Sequence, residues 1–190
     1  MTRIAIFASG NGTNAENIIK YFQEKDRGVE VALVICNRRE AGVYERANRL
    51  GVPILHISKS EINQESKMLG VLKEYGIDFI VLAGFMLMVP EFLIEAYPNR
   101  IVNIHPSLLP KFGGKGMHGH HVHAAVVEAG ERESGITIHY VNEFYDEGEV
   151  IFQAKTEVLP NDTPEDVEAK IHLLEQEHFP KVIEEVIKGE

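Results

Sequence analysis

Cysteine is nearly absent from this chain. Cys36 is the only one, so no intramolecular disulfide can form and the composition fits a reducing compartment. Long apolar runs are missing too: no stretch approaches the ~18 residues needed to cross a bilayer. Met1–Phe7 leads straight into a strand-like run too short for the apolar core of a secretion signal, so the cytoplasm is expected and membrane association is not. Positive charge is scarce. Nineteen Lys and Arg stand against 29 Asp and Glu, a formal charge of −10, which argues against a broad footprint on nucleic-acid phosphates, although a small anion could still bind locally. Internal repeats, low-complexity tracts and linkers rich in Pro, Gly or Ser are all lacking, and one domain over residues 1–190 is expected. What remains, 44% hydrophobic and 25% charged residues, is ordinary for a globular protein long enough to bury a sizeable core.

Strand-like runs recur at Ile4–Ala8, Val29–Ile35, Val52–His56, Phe79–Ala83 and Ile101–His105, with helix-period segments between the first four. That alternation is the βαβ rhythm of a parallel, doubly wound sheet. Gly51 and Gly76 each follow a helical pattern and precede an apolar run, where glycine lets the chain leave the helix left-handed. The second half differs. Gly135–Val141 and Glu149–Val158 are β-rich runs joined by the polar link 142–148, so they predict a paired, antiparallel C-terminal unit. Thr163-Pro164-Glu165-Asp166 has the form of an N-cap with proline at N1 and acids in the first turn. The helix it opens places Val167, Ile171 and Leu174 on one face and predicts a closing cover for the sheet.

The segment Ile101-Val-Asn103-Ile-His105-Pro106-Ser-Leu-Leu-Pro110 delivers an amide and an imidazole to the end of a strand that proline then stops. Two residues apart on a strand, Asn103 and His105 share a face, which sets an oxyanion donor beside a titratable acid or base. A buried polar pair closing a sheet edge is the plainer alternative. Between the first strand and first helix, Ser9-Gly10-Asn11-Gly12-Thr13-Asn14-Ala15 has the glycines of a tight turn and donors enough to hold a phosphate at a helix start. Gly10-x-Gly12-x-x-Ala15 also meets a loose dinucleotide pattern, and Arg38 and Arg39 after the second strand keep an NADP reading open. Thr13 and Glu16 have capping-box spacing, a purely structural explanation of the same residues.

Three further segments stand out. Val81–Pro90 is an apolar strand that breaks at Gly84 into an apolar loop, suited to a flat ligand or to core packing. His118, His120, His121 and His123 invite a metal reading, but no cysteine, Asp or Glu accompanies them between Pro110 and Ala125. The four glycines between Gly113 and Gly119 favour a mobile flap over a site. Asp146, in Tyr145-Asp146-Glu147-Gly148, is by itself an ordinary turn former.

Together, Asn103-x-His105-Pro106-Ser107-Leu108-Leu109-Pro110, Ser9–Asn14, Ala83-Gly84-Phe85-Met86 and Asp146-x-Gly148 resemble the phosphoribosylglycinamide formyltransferase family of purine synthesis, over roughly residues 1 to 187. The resemblance implies a Rossmann-like formyltransferase fold. It also implies transfer of a formyl group from 10-formyltetrahydrofolate to the amine of 5′-phosphoribosylglycinamide, without metal, by a monomer or homodimer whose partners are small molecules. Residue by residue it implies a catalytic Asn103, His105 and Asp146, with Asp146 favouring the charged form of the imidazole. Gly12, Thr13, Asn14, Ala15 and Glu16 would hold the substrate phosphate, Glu175 the substrate amine, and Met86, Leu87, Met88, Val89 and Asn103 the folate. His139 faces the site in the same family. The chain departs from the family at Leu87, where a basic residue is common, and in the glycine- and histidine-rich 113–123 segment; on the last helix Glu177 lies close enough to Glu175 to exchange registers with it. A formyltetrahydrofolate hydrolase shares Asn, His and Asp but typically carries a regulatory domain, and a methionyl-tRNA formyltransferase needs a basic tRNA-holding domain. A non-catalytic NADP- or folate-binding module would have no need of the three together.

Overall fold

A computed structural model describes residues 1–189. The elements run β1 (Thr2–Ala8), α1 (Thr13–Glu24), β2 (Val29–Cys36), α2 (Val43–Arg49), β3 (Ile54–His56), α3 (Glu65–Glu74), β4 (Phe79–Leu82), α4 (Glu91–Ala96), β5 (Ile101–His105), α5 (His120–Glu128), β6 (Glu133–Tyr140), β7 (Val150–Glu157) and α6 (Pro164–Lys188), with a 3-10 turn at Glu61–Asn63 before α3. The strands form one seven-stranded sheet in the order β3-β2-β1-β4-β5-β6-β7. β1 to β5 pair in parallel, and β6 and β7 are added antiparallel.

The period-two alternation of the strands builds two cores. Ile4, Ile6 and Ala8 of β1 face α1, α2, α5 and α6, where Ile18, Val43, Val126 and Phe179 meet them. Ala5 and Phe7 face the other way, onto Met68 and Leu72 of α3 and Leu93 of α4. β1, β2, β4 and β5 are buried on both faces, which is why the parallel half reads as nearly continuous apolar sequence, whereas the edge strand β7 alternates exposed and half-buried residues. Gly51 and Gly76 take positive φ as the sequence predicts. The α6 capping box forms, with the Thr163 hydroxyl accepting from the Asp166 N–H at 3.2 Å and the Asp166 carboxylate accepting from the Thr163 N–H at 2.9 Å.

Two helices lie where the sequence shows no clean period. α4 has six residues, too few to display one. α5 buries Val122, His123 and Val126, and an imidazole in the apolar stripe disguises it.

Candidate active site

Parallel sheets bind ligands where the strand order reverses, just beyond the carboxyl ends. Here that point lies between β1 and β4, and a cavity of about 740 Å³ opens there and extends over β5. Its walls are the 10–14 turn after β1, residues 83–86 after β4, 103–106 of β5 and its exit, the 114–121 strap with His123, the Tyr145–Asp146 corner and one face of α6.

The second core contributes no fully buried side chain beyond Ile101, and from there polar groups occupy that face of β5. Register sets Asn103 opposite His139 and His105 opposite Thr137 on β6. Asn103 Nδ2 lies 3.1 Å from His139 Nε2, while His139 Nδ1 lies 2.8 Å from the Tyr140 carbonyl. A carbonyl only accepts, so Nδ1 carries the proton of His139 and Nε2 accepts from the Asn103 amide. One N–H of that amide is thereby fixed and the second is left for a ligand. The exit turn is pinned by Thr137, whose hydroxyl donates to the Ser107 carbonyl at 2.7 Å and accepts from the Leu109 N–H at 3.0 Å.

His105 is buried, 4% exposed. Its Nε2 lies 2.8 Å from the Phe112 carbonyl and its Nδ1 lies 3.5 Å from Asp146 Oδ2. Asp146 comes from the far end of the chain segment joining β6 to β7, and Gly148 is what lets it reach. A Cβ at Gly148 would sit 1.6 Å from the Tyr140 carbonyl oxygen, so only glycine closes this corner against β6. Asp146 takes φ +56°, a left-handed conformation that Asp tolerates better than most residues. Its Oδ2 accepts from the Gly114 N–H at 3.0 Å, and its Oδ1 is 3.8 Å from His139 Nε2, outside hydrogen-bond reach.

Burial pulls the His105 imidazole below its ordinary pKa, against the raising effects of Asp146 and the Phe112 carbonyl. The resting ring is therefore less readily charged than the pairing with Asp146 alone implies. Burial pushes the Asp146 carboxyl up, but the neighbouring His139 ring, the charge His105 can carry and the Gly114 N–H together outweigh it, and the net shift is down. The pair is thus an ionised carboxylate facing a mostly neutral imidazole.

At the other end of the cavity, α1 begins at Thr13 with Gly12 in the left-handed region, φ 82°, and no side chain caps it. The first N–H groups of a helix have no partner within it, which leaves them for an anion. A Cβ on Gly12 would meet Val43 at 2.7 Å, so the turn also packs directly on α2. Gly12, Thr13 and Asn14 line the cavity; Ala15 is fully buried and Glu16 lies outside the lining. Glu16 forms no capping box. It accepts from Arg46, from Arg49 at 2.7 Å and from Lys20 at 2.9 Å, and Arg49 foremost, with the other two, lowers its carboxyl to about 2. The repulsion that a carboxylate at a phosphate site would exert is thereby neutralised. Ser9, read from sequence as a donor to the same anion, is buried and committed elsewhere: its hydroxyl donates to Asn37 Oδ1 at 2.5 Å and accepts from the Met86 N–H at 2.9 Å.

Of the two candidate acids on α6 for the substrate amine, Glu175 faces the cavity and Glu177 faces solvent. Glu175 is 7% exposed and accepts from Asn14 Nδ2 at 3.0 Å. Burial raises its pKa against the lowering by Asn14 and His172. Sequence reasoning missed Glu168 and His172, which line the same wall. With Ile171 and Glu175 they form an i, i+3, i+4, i+7 face, and extending the stripe from Val167 by one position would have found them.

The apolar wall is narrower than the sequence predicts. Met86 and Phe85 line the cavity, and Phe85 sits edge-on to Phe7 with centroids 5.3 Å apart. Leu87, Met88 and Val89 do not line it; Val89 is buried in the second core, Leu87 packs against that core and Met88 is 46% exposed. The histidines divide. His118, His120, His121 and His123 all line the cavity, and burial drives His123 down to about 4, so it is neutral near pH 7. Among the described residues, no group of three or more His, Cys, Asp or Glu is placed to hold a metal ion. Arg38 and Arg39 are exposed and outside the lining, so the NADP reading has no site here. No helix among the described residues is long and apolar enough to cross a membrane.

The family profile described as formyl transferase matches residues 2–183. The chain is 37% identical over 191 residues to the phosphoribosylglycinamide formyltransferase of Bacillus subtilis (strain 168), covering 98% of this chain and 95% of that one. It is 41% identical over 181 residues to the chloroplastic phosphoribosylglycinamide formyltransferase of Arabidopsis thaliana, covering 93% of this chain but spanning only 61% of the plant protein. Among solved structures, glycinamide ribonucleotide transformylase 1 from Symbiobacterium toebii superposes with a TM-score of 0.90 at 37% identity, over 100% of this chain and 89% of the other.

Proposed function

This chain belongs to the formyl transferase family, and from that premise we propose that it transfers a formyl group from 10-formyltetrahydrofolate to the amine of 5′-phosphoribosylglycinamide, a step of purine synthesis. The observation that carries the reading is the convergence of Asn103, His105 and Asp146 in a cavity whose opposite end is an uncapped helix start beside a buried carboxylate. The cavity has the size and the mixed lining for two ligands at once. The 10–14 turn and Glu175 suit a phosphorylated amine, and Phe85, Met86 and the Tyr145–Asp146 corner suit a flat, formyl-bearing co-substrate, which supplies the activated one-carbon unit.

Attack of the amine on the formyl carbon moves charge onto the formyl oxygen. The free N–H of the Asn103 amide is the donor for it, pre-oriented by His139 so that no reorganisation is needed as the charge develops. The attacking nitrogen must lose a proton and the departing nitrogen must gain one. His105, neutral at rest, takes the first and returns the second; Asp146, ionised opposite it, stabilises the imidazolium formed in between. The ring is buried and the carboxylate side chain only 12% exposed, which limits the water that would otherwise compete with the amine.

Purified protein incubated with 10-formyltetrahydrofolate, with and without phosphoribosylglycinamide, tests the reading. Loss of formyl folate that depends on the amine is the expected result. Loss at the same rate without the amine would make the protein a hydrolase, and no loss in either case would leave a binding module.

A further inference from the structure

Which nitrogen of His105 handles the proton depends on a backbone group outside the trio of Asn103, His105 and Asp146. Both ring nitrogens face an acceptor: Nε2 the Phe112 carbonyl at 2.8 Å, Nδ1 the Asp146 carboxylate at 3.5 Å. A neutral imidazole has one N–H to give. If Nδ1 carried it, the Nε2 lone pair of a buried ring would be pressed against a carbonyl oxygen at hydrogen-bond distance. If Nε2 carries it, the shorter contact becomes a good hydrogen bond, and the bare Nδ1 faces the carboxylate at a distance that leaves room for a proton.

We infer that Phe112 is a positioning residue whose carbonyl holds His105 in the Nε2–H tautomer, so that the transferred proton is taken up and released at Nδ1, against Asp146. The turn is built for this. Phe112 takes φ +56°, unusual for a bulky residue, and its side chain packs against the first core, which anchors a conformation that aims the carbonyl at the ring. Two residues on, the Gly114 N–H holds the Asp146 oxygen that faces Nδ1. A Cβ at the intervening Gly113 would lie 2.5 Å from Leu109 Cδ2 and 3.5 Å from Asp146 Cβ, so the backbone here is packed tightly between Leu109 and the Asp146 corner. One short turn thus fixes the imidazole with an acceptor and the carboxylate with a donor. The titratable groups around the ring are Asp146 on the β6–β7 corner, His139 on β6 and His123 on α5. At Nε2 the hydrogen-bonding group is the Phe112 carbonyl, and Asp146 stands at Nδ1.

The inference shares its site with the proposed formyl transfer and rests on that reading only for the use made of the proton, because the tautomer is measured without substrate. Ring nitrogen NMR of the intact, ligand-free protein, above the pKa of His105, is expected to show Nε2 protonated and Nδ1 bare, by about tenfold or more. A majority of Nδ1–H would overturn the inference whatever the protein's activity. Phe112→Val disfavours positive φ and is expected to mix the tautomers and displace the pH profile of turnover, while Phe112→Gly, which adopts that φ freely, is expected to restore the Nε2–H signal. A Phe112→Val protein with the wild-type tautomer ratio would remove residue 112 from the role.

Discussion

Asp146→Asn isolates the charge on the carboxylate proposed to support proton transfer from its shape. Asparagine fits the same corner, and its carbonyl oxygen can still accept from the Gly114 N–H, now 3.0 Å from Oδ2, so the loop should keep its place. What goes is the negative charge 3.5 Å from His105 Nδ1. At an effective dielectric near 20, a carboxylate and an imidazolium at that separation attract by about 5 kcal/mol. The side chains are 12% and 5% exposed, so some hydration and relaxation remain, and carboxylate neighbours typically move a pKa by about 1–3. That is about 1.4–4 kcal/mol of lost support for the imidazolium. Because the charged ring forms only during proton transfer, the loss falls on kcat, which is expected to drop by about 10- to 10³-fold. Burial already depresses the His105 pKa; removing the carboxylate lowers it further, so protonation of the ring in the variant shifts to lower pH. Initial rates with both substrates at several pH values, with KM for formyl folate taken from the same data, check this. Turnover within a factor of about three of wild type, or a loss confined to folate KM, would refute the assignment of proton transfer to this pair.

Glu175→Gln keeps an acceptor for Asn14 but loses a buried charge; the acceptor-substrate KM is expected to rise about 10–100-fold with folate KM unmoved, as separate saturation curves would show. Gly12→Ala forces alanine to φ 82° and its Cβ to 2.7 Å from Val43. The expected cost is about 2–4 kcal/mol, a fall of roughly 4–15 °C in Tm by calorimetry. Glu16 ionises in the fold at about 2 rather than 4.5, so its cluster with Arg46, Arg49 and Lys20 contributes stability that is complete above pH 4.5 and is lost as pH falls toward 2. Urea unfolding of Glu16→Gln should show a lower midpoint than wild type near neutral pH and a smaller loss on acidification across that window.

Sequence alone determined the parts whose cause is local. Ile101–His105 reads as a strand because β-branched residues alternate with polar ones and proline ends it; the same period-two geometry sets Asn103 and His105 on one face before any partner is known. The Thr163 capping box and the βαβ rhythm are likewise properties of a few neighbouring residues. The joint spacing of the motifs carried the family.

Tertiary structure decided whatever depends on pairs distant in the chain. Ser9 turned from anion donor to tether because Asn37 and Met86, on other loops, claim its hydroxyl. Thr13 and Glu16 have the letters of a capping box, but three cations on α1 and α2 hold the carboxylate more strongly than one backbone N–H could. Asp146 is a turn residue in sequence and a neighbour of His105 in space only because Gly148 lets its corner close on Tyr140 and bring the carboxylate to the ring. Local backbone preference acts over a few residues and is written in them; charge and hydrogen bonding act through space, and their outcome is fixed only when the fold has chosen which groups meet.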